Sequence, residues 1–258
     1  MGLGKTLQVI TVLLAHKREE KEHQPALIIT PASLVYNWRE EIAQYAPELA
    51  VGMITGSQQE RQKSIADYEK YDVLVTSYDL LKRDIAEYED KSFSVQVIDE
   101  AQYIKNHTTA AAKSVKLITS HTKYALTGTP IENRLSELWS IFDYLMPGFL
   151  YKYENFKKEM ETPITKNQDA DATALLKRMV APFILRRLKT DVLKDLPEKL
   201  EENYYAVMEE EQQKLYDGQV VRMKNSLEKE TEDHIRKNKL QILAELTRIR
   251  QICCDPTL

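Results

Sequence analysis

The octapeptide VQVIDEAQ, residues 95–102, sets the architecture that the rest of the chain serves. Val95, Val97 and Ile98 are β-branched and Asp99 and Glu100 follow at once, so the run reads as a buried strand delivering two carboxylates to its C-terminal end. Open α/β sheets bind their ligands at that end. An apolar run closed by two acids also describes the polar end of a strand entering an ordinary turn. Gly2, Leu3, Gly4, Lys5 and Thr6 separate the two readings. They match the back half of a phosphate-binding loop, in which backbone N–H groups cradle phosphates, a lysine reaches the outer ones and a threonine hydroxyl binds Mg²⁺. The two stretches together ask for one chemistry, nucleotide hydrolysis.

Outward from this strand toward the N-terminus, residues 73–76, 51–55 and 26–30 are short runs of strand-forming residues. ALIIT at 26–30 is continuously apolar, the signature of a strand buried on both faces of a parallel sheet. Helical periodicity separates the runs over 5–22, 34–45, 58–68 and 79–88, and the first of these helices would point its N-terminus at the phosphates. Toward the C-terminus, Thr108 is placed to cap a helix over 110–118, and 123–127 supplies a fifth strand. Thr129, Pro130 and Glu132 combine an N-cap, a first-turn proline and an acid three residues after the cap, predicting a helix through Leu135, Leu138, Ile141 and Leu145 that ends at Pro147-Gly148. The alternation predicts an α/β fold with a parallel sheet between helices. From Tyr151 onward the periodicity is helical, broken near Pro163, Pro182 and Pro197, with 201–208 the one candidate strand. The expected organisation is an α/β lobe over residues 1–146 and a mainly helical region over 147–258. A phosphate loop normally follows a buried strand, so a strand upstream of Met1 is also expected.

At 258 residues the chain has room for one or two domains with a sizeable core, and 43% hydrophobic with 29% charged residues describes a soluble globular protein. A net charge of −4 gives no global attraction to nucleic acid or anionic membranes, so a nucleic-acid role needs a local basic surface. Cys253 and Cys254 are too few for a disulfide framework and lack zinc-site spacing; they read as buried thiols in a reducing compartment. There is no apolar run of about 18 residues and no leader with a cleavage site, so neither a membrane span nor a signal peptide is expected, and the expected location is the cytoplasm.

Six stretches stand together in order: MGLGKTLQ (1–8), LIITPASLVYNW (27–38), VLVTSYDLL (73–81), VIDEAQYIKN (97–106), ALTGTPIENRLSELWSIFDYLMPGFL (125–150) and FILRRLKTDVLKDLPEK (183–199). Together they resemble the first motor lobe of the Swi/Snf-type ATPases, superfamily two helicase-like translocases, in their bacterial branch. LTRIRQICCDP (246–256) is similar to the passage leading toward that family's second lobe. Gln102 stands where many members carry histidine, and His107 where proline is common. The resemblance implies a RecA-like sheet with helices on both faces, followed by a helical protrusion and linker. It implies ATP and Mg²⁺ as cofactors and double-stranded DNA as partner, with a DNA-bound protein being remodelled and a nucleoid-associated location. It also implies a second RecA-like lobe whose arginine completes the ATP site. The chain carries no sequence similar to that lobe, so by itself it is expected to be nearly inactive.

On this resemblance Lys5 pairs with the β- and γ-phosphates, Thr6 and Asp99 hold Mg²⁺, and Gly2, Leu3 and Gly4 bring the backbone to the phosphates. Glu100 orients or deprotonates the attacking water, while Gln102 and the turn Thr127, Gly128, Thr129 sense the γ-phosphate. Nucleic acid lies across Pro31, Ala32 and Ser33, across Thr76, Ser77 and Tyr78, and across Asn133 and Arg134. Ser33, Ser77 and Thr129 also suit helix caps, and Trp38 and Trp139 sit in apolar helical patterns that suit a core. Lys177, Arg178, Arg186, Arg187, Lys189 and Lys194 against the single acid Asp191 form a basic tract that suits a DNA backbone, the second lobe or plain solvent. Two rivals stand beside this reading. One is an RNA helicase of the same superfamily; the other is a non-catalytic module that binds a protein partner through the helices after Tyr151.

Overall fold

Runs of β-branched and leucine side chains form the strands β1 (Ala26–Thr30), β2 (Val51–Met53), β3 (Val73–Ser77) and β4 (Ser92–Ile98), joined by β5 (Thr119–Ala125). The computed structural model describes residues 3–19, 23–128, 134–187, 202–227 and 239–255. Its sheet has the order β2-β3-β1-β4-β5 with every pairing parallel. Every residue of β1 and β3 is buried, as a sheet covered on both faces requires. Register aligns Ile29 with Ile98 and Thr30 with Ser77, so the carboxyl ends of β1, β3 and β4 meet at one edge.

Alternation along β1 divides the core. Ala26 and Ile28 face a cluster with Val9, Ile10 and Leu13 of α1 (Lys5–Glu19) and Trp38 and Ile42 of α2 (Val35–Tyr45). Leu27 and Ile29 face a second cluster holding Ile65 of α3 (Gln58–Ala66), Leu81 of α4 (Tyr78–Arg83), Val115 of α5 (Ala110–Leu117) and Tyr144 of α6 (Leu135–Leu145). Burying each such leucine or isoleucine contributes about 2 kcal/mol, which makes this two-faced covering the main driving force of the lobe.

After α6 the chain folds back on it. Leu138, Trp139 and Phe142 pack with Leu150, with Phe156 of α7 (Tyr153–Phe156) and with Met160 in the π-helical turn Lys157–Glu161. The cluster is completed by Leu176 and Val180 in the helix Ala170–Val180 (α9), which follows α8 (Thr162–Asn167). These helices are therefore continuous in packing with the sheet lobe. By contact density the chain divides into Met1–Leu193 and Lys194–Leu258. In the second unit α10 (Glu210–Leu227) pairs with α11 (Lys239–Cys254), Gln212 Nε2 donating to the Ile252 carbonyl at 2.7 Å.

Several local expectations are corrected. Residues 202–208 form no strand, and Tyr204, Tyr205 and Val207 stand exposed, because an isolated β-prone run has no neighbour to complete its ladder. Cys253 and Cys254 are exposed; α11 turns Ile252 inward instead. β5 spans 119–125, not 123–127, since backbone pairing from Ser92–Thr119 to Ile98–Ala125 carries the strand through polar residues at the sheet edge. Thr109, not Thr108, caps α5, its hydroxyl accepting from Ala112 N–H at 3.2 Å while Thr108 donates to Asn106. α6 begins at Leu135 after an extended Arg134, and the cap expected at Thr129 lies outside the described residues. Among the described residues no helix is long and apolar enough to cross a membrane.

Candidate active site

Sheet pairing carries Asp99 to the carboxyl edge, where its N–H donates to the Ile29 carbonyl at 2.8 Å. Its carboxylate is almost enclosed, at 8% exposure, and is met by donors on both oxygens. Glu100 N–H donates to Oδ1 at 2.9 Å; Trp38 Nε1 donates to Oδ2 at 3.0 Å and the Thr30 hydroxyl at 3.4 Å. Tyr78 donates its hydroxyl to the Asp99 carbonyl at 2.7 Å, and its ring stacks on Tyr103 with centroids 5.0 Å apart. Burial holds the Tyr78 phenol well above its ordinary pKa, so it stays a proton donor.

Glu100 adopts the left-handed conformation, φ 50° and ψ 58°, at the head of the 3₁₀ turn Ala101–Ile104. Non-glycine residues adopt this conformation uncommonly, here also at Tyr151 and Gln168. Gln102 Nε2 donates to Glu100 Oε2 at 2.7 Å, and Thr127 Oγ1 donates to Gln102 Oε1 at 3.3 Å. A polar chain thus joins Glu100 to the segment after β5, reinforced by Ala101 N–H donating to the Leu126 carbonyl at 2.8 Å.

Leu3, Gly4, Lys5 and Thr6 lie at the start of α1. Gly4 has φ 75°, which glycine adopts at little cost, and its carbonyl accepts the first helical bond from Gln8. No acid occupies the first turn of α1, and the N–H groups of a helix N-terminus favour an anion. Gly2 lies outside the described residues. Among those described, no hydrogen bond or ion pair joins Lys5 or Thr6 to Asp99 or Glu100. As a donor set for Mg²⁺, Thr6 and Asp99 fit: both are oxygen ligands, and so few suit an ion that keeps several waters and binds substrate phosphates.

With this geometry in hand, the match of residues 1–258 to the SNF2-related domain family is decisive. The chain belongs to that family. This SNF2-related domain is 41% identical to an uncharacterized ATP-dependent helicase of Mycoplasma genitalium, covering 98% of this chain and 24% of that protein. It is 39% identical to the TATA-binding protein-associated factor MOT1 of Saccharomyces cerevisiae, covering 100% of this chain and 15% of that one. Among solved structures it resembles the Sulfolobus solfataricus SWI2/SNF2 ATPase core in complex with dsDNA, at 41% identity and a TM-score of 0.69, with 98% of this chain and 52% of that one covered. The chain therefore spans about a quarter or less of these two curated relatives and about half of the archaeal core. Its five-stranded sheet is RecA-like, as in that core.

The remaining positions of the SNF2-related domain divide by burial. Ala32 and Ser33 are exposed in the 3₁₀ turn Ala32–Leu34, and Gly128 and Arg134 are exposed after β5 and before α6. Thr76, Ser77 and Tyr78 are buried, at 0%, 3% and 3%, so their side chains do not face a duplex. Ser77 instead caps α4, accepting from Leu80 N–H at 3.3 Å, and Tyr78 supports Asp99. Thr129 and Asn133 lie outside the described residues, as do Lys189, Asp191 and Lys194 of the basic tract; Lys177, Arg178, Arg186 and Arg187 are exposed. Trp38 and Trp139 are buried, as their helical spacing suggests. The part Trp38 plays in the site is not legible locally, because its partner lies 61 residues away.

Proposed function

We propose that this SNF2-related domain is the first motor lobe of an ATP-driven translocase on double-stranded DNA. Residues 1–146 bind ATP, and 147–258 provide the protrusion and the linker toward a second lobe. The observation that carries the reading is the Asp99–Glu100 pair, one carboxylate pinned on both oxygens and the next swung into the left-handed region and bridged through Gln102 to Thr127.

Each side chain then has a task. Lys5 and the N-terminal N–H groups of α1 bind the outer phosphates, and Glu100 takes the proton of the attacking water. Thr6 and Asp99 would hold Mg²⁺, which neutralises phosphate charge when bound. Gln102 sits between Glu100 and Thr127, where it relays the state of the γ-phosphate to the loop after β5. The solved archaeal relative in complex with dsDNA supports duplex DNA as the track, met by backbone phosphates at Ala32, Ser33, Gly128 and Arg134. The protein works in the cytoplasm on nucleoid DNA, displacing or remodelling bound protein.

In the full-length protein, duplex DNA is expected to stimulate ATP hydrolysis, and Lys5→Ala or Glu100→Gln to lower the stimulated rate by about 10²-fold or more. Unchanged rates in both variants would sink the proposal, and stimulation by RNA in place of duplex DNA would move it to the helicase reading. A transition-state arginine contributes about 10³ to 10⁵ in rate in related hydrolases, so residues 1–258 alone hydrolyse ATP barely.

A further inference from the structure

The backbone and the carboxylate of Asp99 are held by different parts of the fold. The backbone belongs to the sheet, its N–H donating to Ile29 and its carbonyl accepting from Tyr78. Of the carboxylate oxygens, Oδ1 is served by the adjacent Glu100 N–H, whereas among the described residues Oδ2 is served by Thr30 and Trp38, at 3.4 and 3.0 Å. Thr30 ends β1 and Trp38 lies in the first turn of α2, so both donors of Oδ2 flank one short connection. That connection is the turn 31–34, where Ala32 and Ser33 are exposed at the carboxyl edge.

The indole itself is 2% exposed and shares its core cluster with Val9, Ile10 and Leu13 of α1, the helix whose N-terminus carries Lys5 and Thr6. An indole has a single N–H donor and no acceptor, so in this apolar surrounding its polar atom is committed to the carboxylate. A rigid ring packed with α1 and bonded to Asp99 links α2 directly to Oδ2. We propose that Trp38 is a positioning residue for Asp99, and that through it α2 couples contact of duplex phosphates at the turn 31–34 to the metal-binding carboxylate. This rests on the reading of Asp99 as part of an ATP site.

The test uses the full-length protein and the variant Trp38→Phe, which keeps an aromatic ring and removes the N–H. Groups that orient metal ligands typically change metal affinity or activity by about 10–100-fold when removed, so the Mg²⁺ concentration for half-maximal hydrolysis should rise about tenfold. KM for ATP at saturating Mg²⁺ should stay close to wild type while kcat falls. Duplex DNA should lower the Mg²⁺ requirement of the wild type and fail to do so in Trp38→Phe, a response that a purely structural role would leave in place. Wild-type Mg²⁺ dependence and DNA response in the folded variant overturn the proposal.

Should Trp38→Phe not fold, two other measurements decide. Thr30→Val removes the second donor and should shift the Mg²⁺ requirement in the same direction by less. In protein labelled with fluorotryptophan, Asp99→Asn should move a buried indole resonance; no movement overturns the assignment. A wild type without DNA-stimulated hydrolysis defeats the motor reading instead, and the indole response to Asp99→Asn is read without turnover, so the two failures are distinct.

Discussion

At the scale of the residue, Glu100 is where the backbone departs from its preferred state. A non-glycine residue at φ 50° carries about 1–2 kcal/mol of strain, held in place by the Gln102 amide on its carboxylate and by Ala101 N–H on Leu126. Glu100→Gly relieves that strain and removes the group expected to accept the proton of water. Stability should rise by about 1 kcal/mol while hydrolysis by the full-length protein is lost, as urea unfolding and ATPase assays would read. Loss of stability on this change would show that the Glu100 side chain, not function, dictates the conformation. Asp99 and Glu100 were legible in the sequence because both their identity and their place at a strand end are local features. The left-handed turn between them and Gln102 was not, since no residue type there demands it.

At the scale of the element, α3 shows how a helix with almost no apolar face is kept in place. Ser57 and Glu60 close its N-terminus as a capping box, and only Ile65 and Arg61 are buried. Arg61 donates through Nε and an Nη to the two oxygens of Asp84 at 2.6 and 2.8 Å, and through its other Nη to the Gly56 carbonyl at 2.8 Å. The Asp84 hydrogen bond raises the guanidinium pKa further, so Arg61 stays charged. Removing one partner of a buried pair leaves an uncompensated charge, and Asp84→Ala should destabilise the lobe by about 3 kcal/mol in urea unfolding. A change below about 0.5 kcal/mol would mean that water screens the pair as at a surface. The helix itself was readable from its polar periodicity; the fastening was not, because Asp84 lies on the far side of β3 in sequence. The bounds of the edge strand β5 failed for the same reason, since its pairing with β4 fixes them.

At the scale of the whole molecule, the lobe encloses three tyrosine hydroxyls that must remain neutral. Burial is the largest cause raising Tyr78, Tyr88 and Tyr144 above the usual value near 10, with nearby acids adding to it for Tyr78 and Tyr88. The unfolded chain then loses these protons at lower pH than the folded one, so their contribution to stability is complete below about pH 10 and declines as pH rises beyond it. Of 14 tyrosines, these three should yield tyrosinate absorbance only as helical circular dichroism is lost. Titration of all of them in a chain with native dichroism would refute this. The alternation of strand and helix, the helix that starts at Lys5 and the two acids at the end of β4 were determined by the sequence alone, because each depends on residue types repeated or grouped within a few positions. Only the tertiary structure decided the order β2-β3-β1-β4-β5, the exposure of Cys253 and Cys254, the burial of Thr76 to Tyr78 and the bond from Trp38 to Asp99. Those depend on which distant segments become neighbours, and a local pattern of polar and apolar residues specifies which face is buried without specifying what covers it.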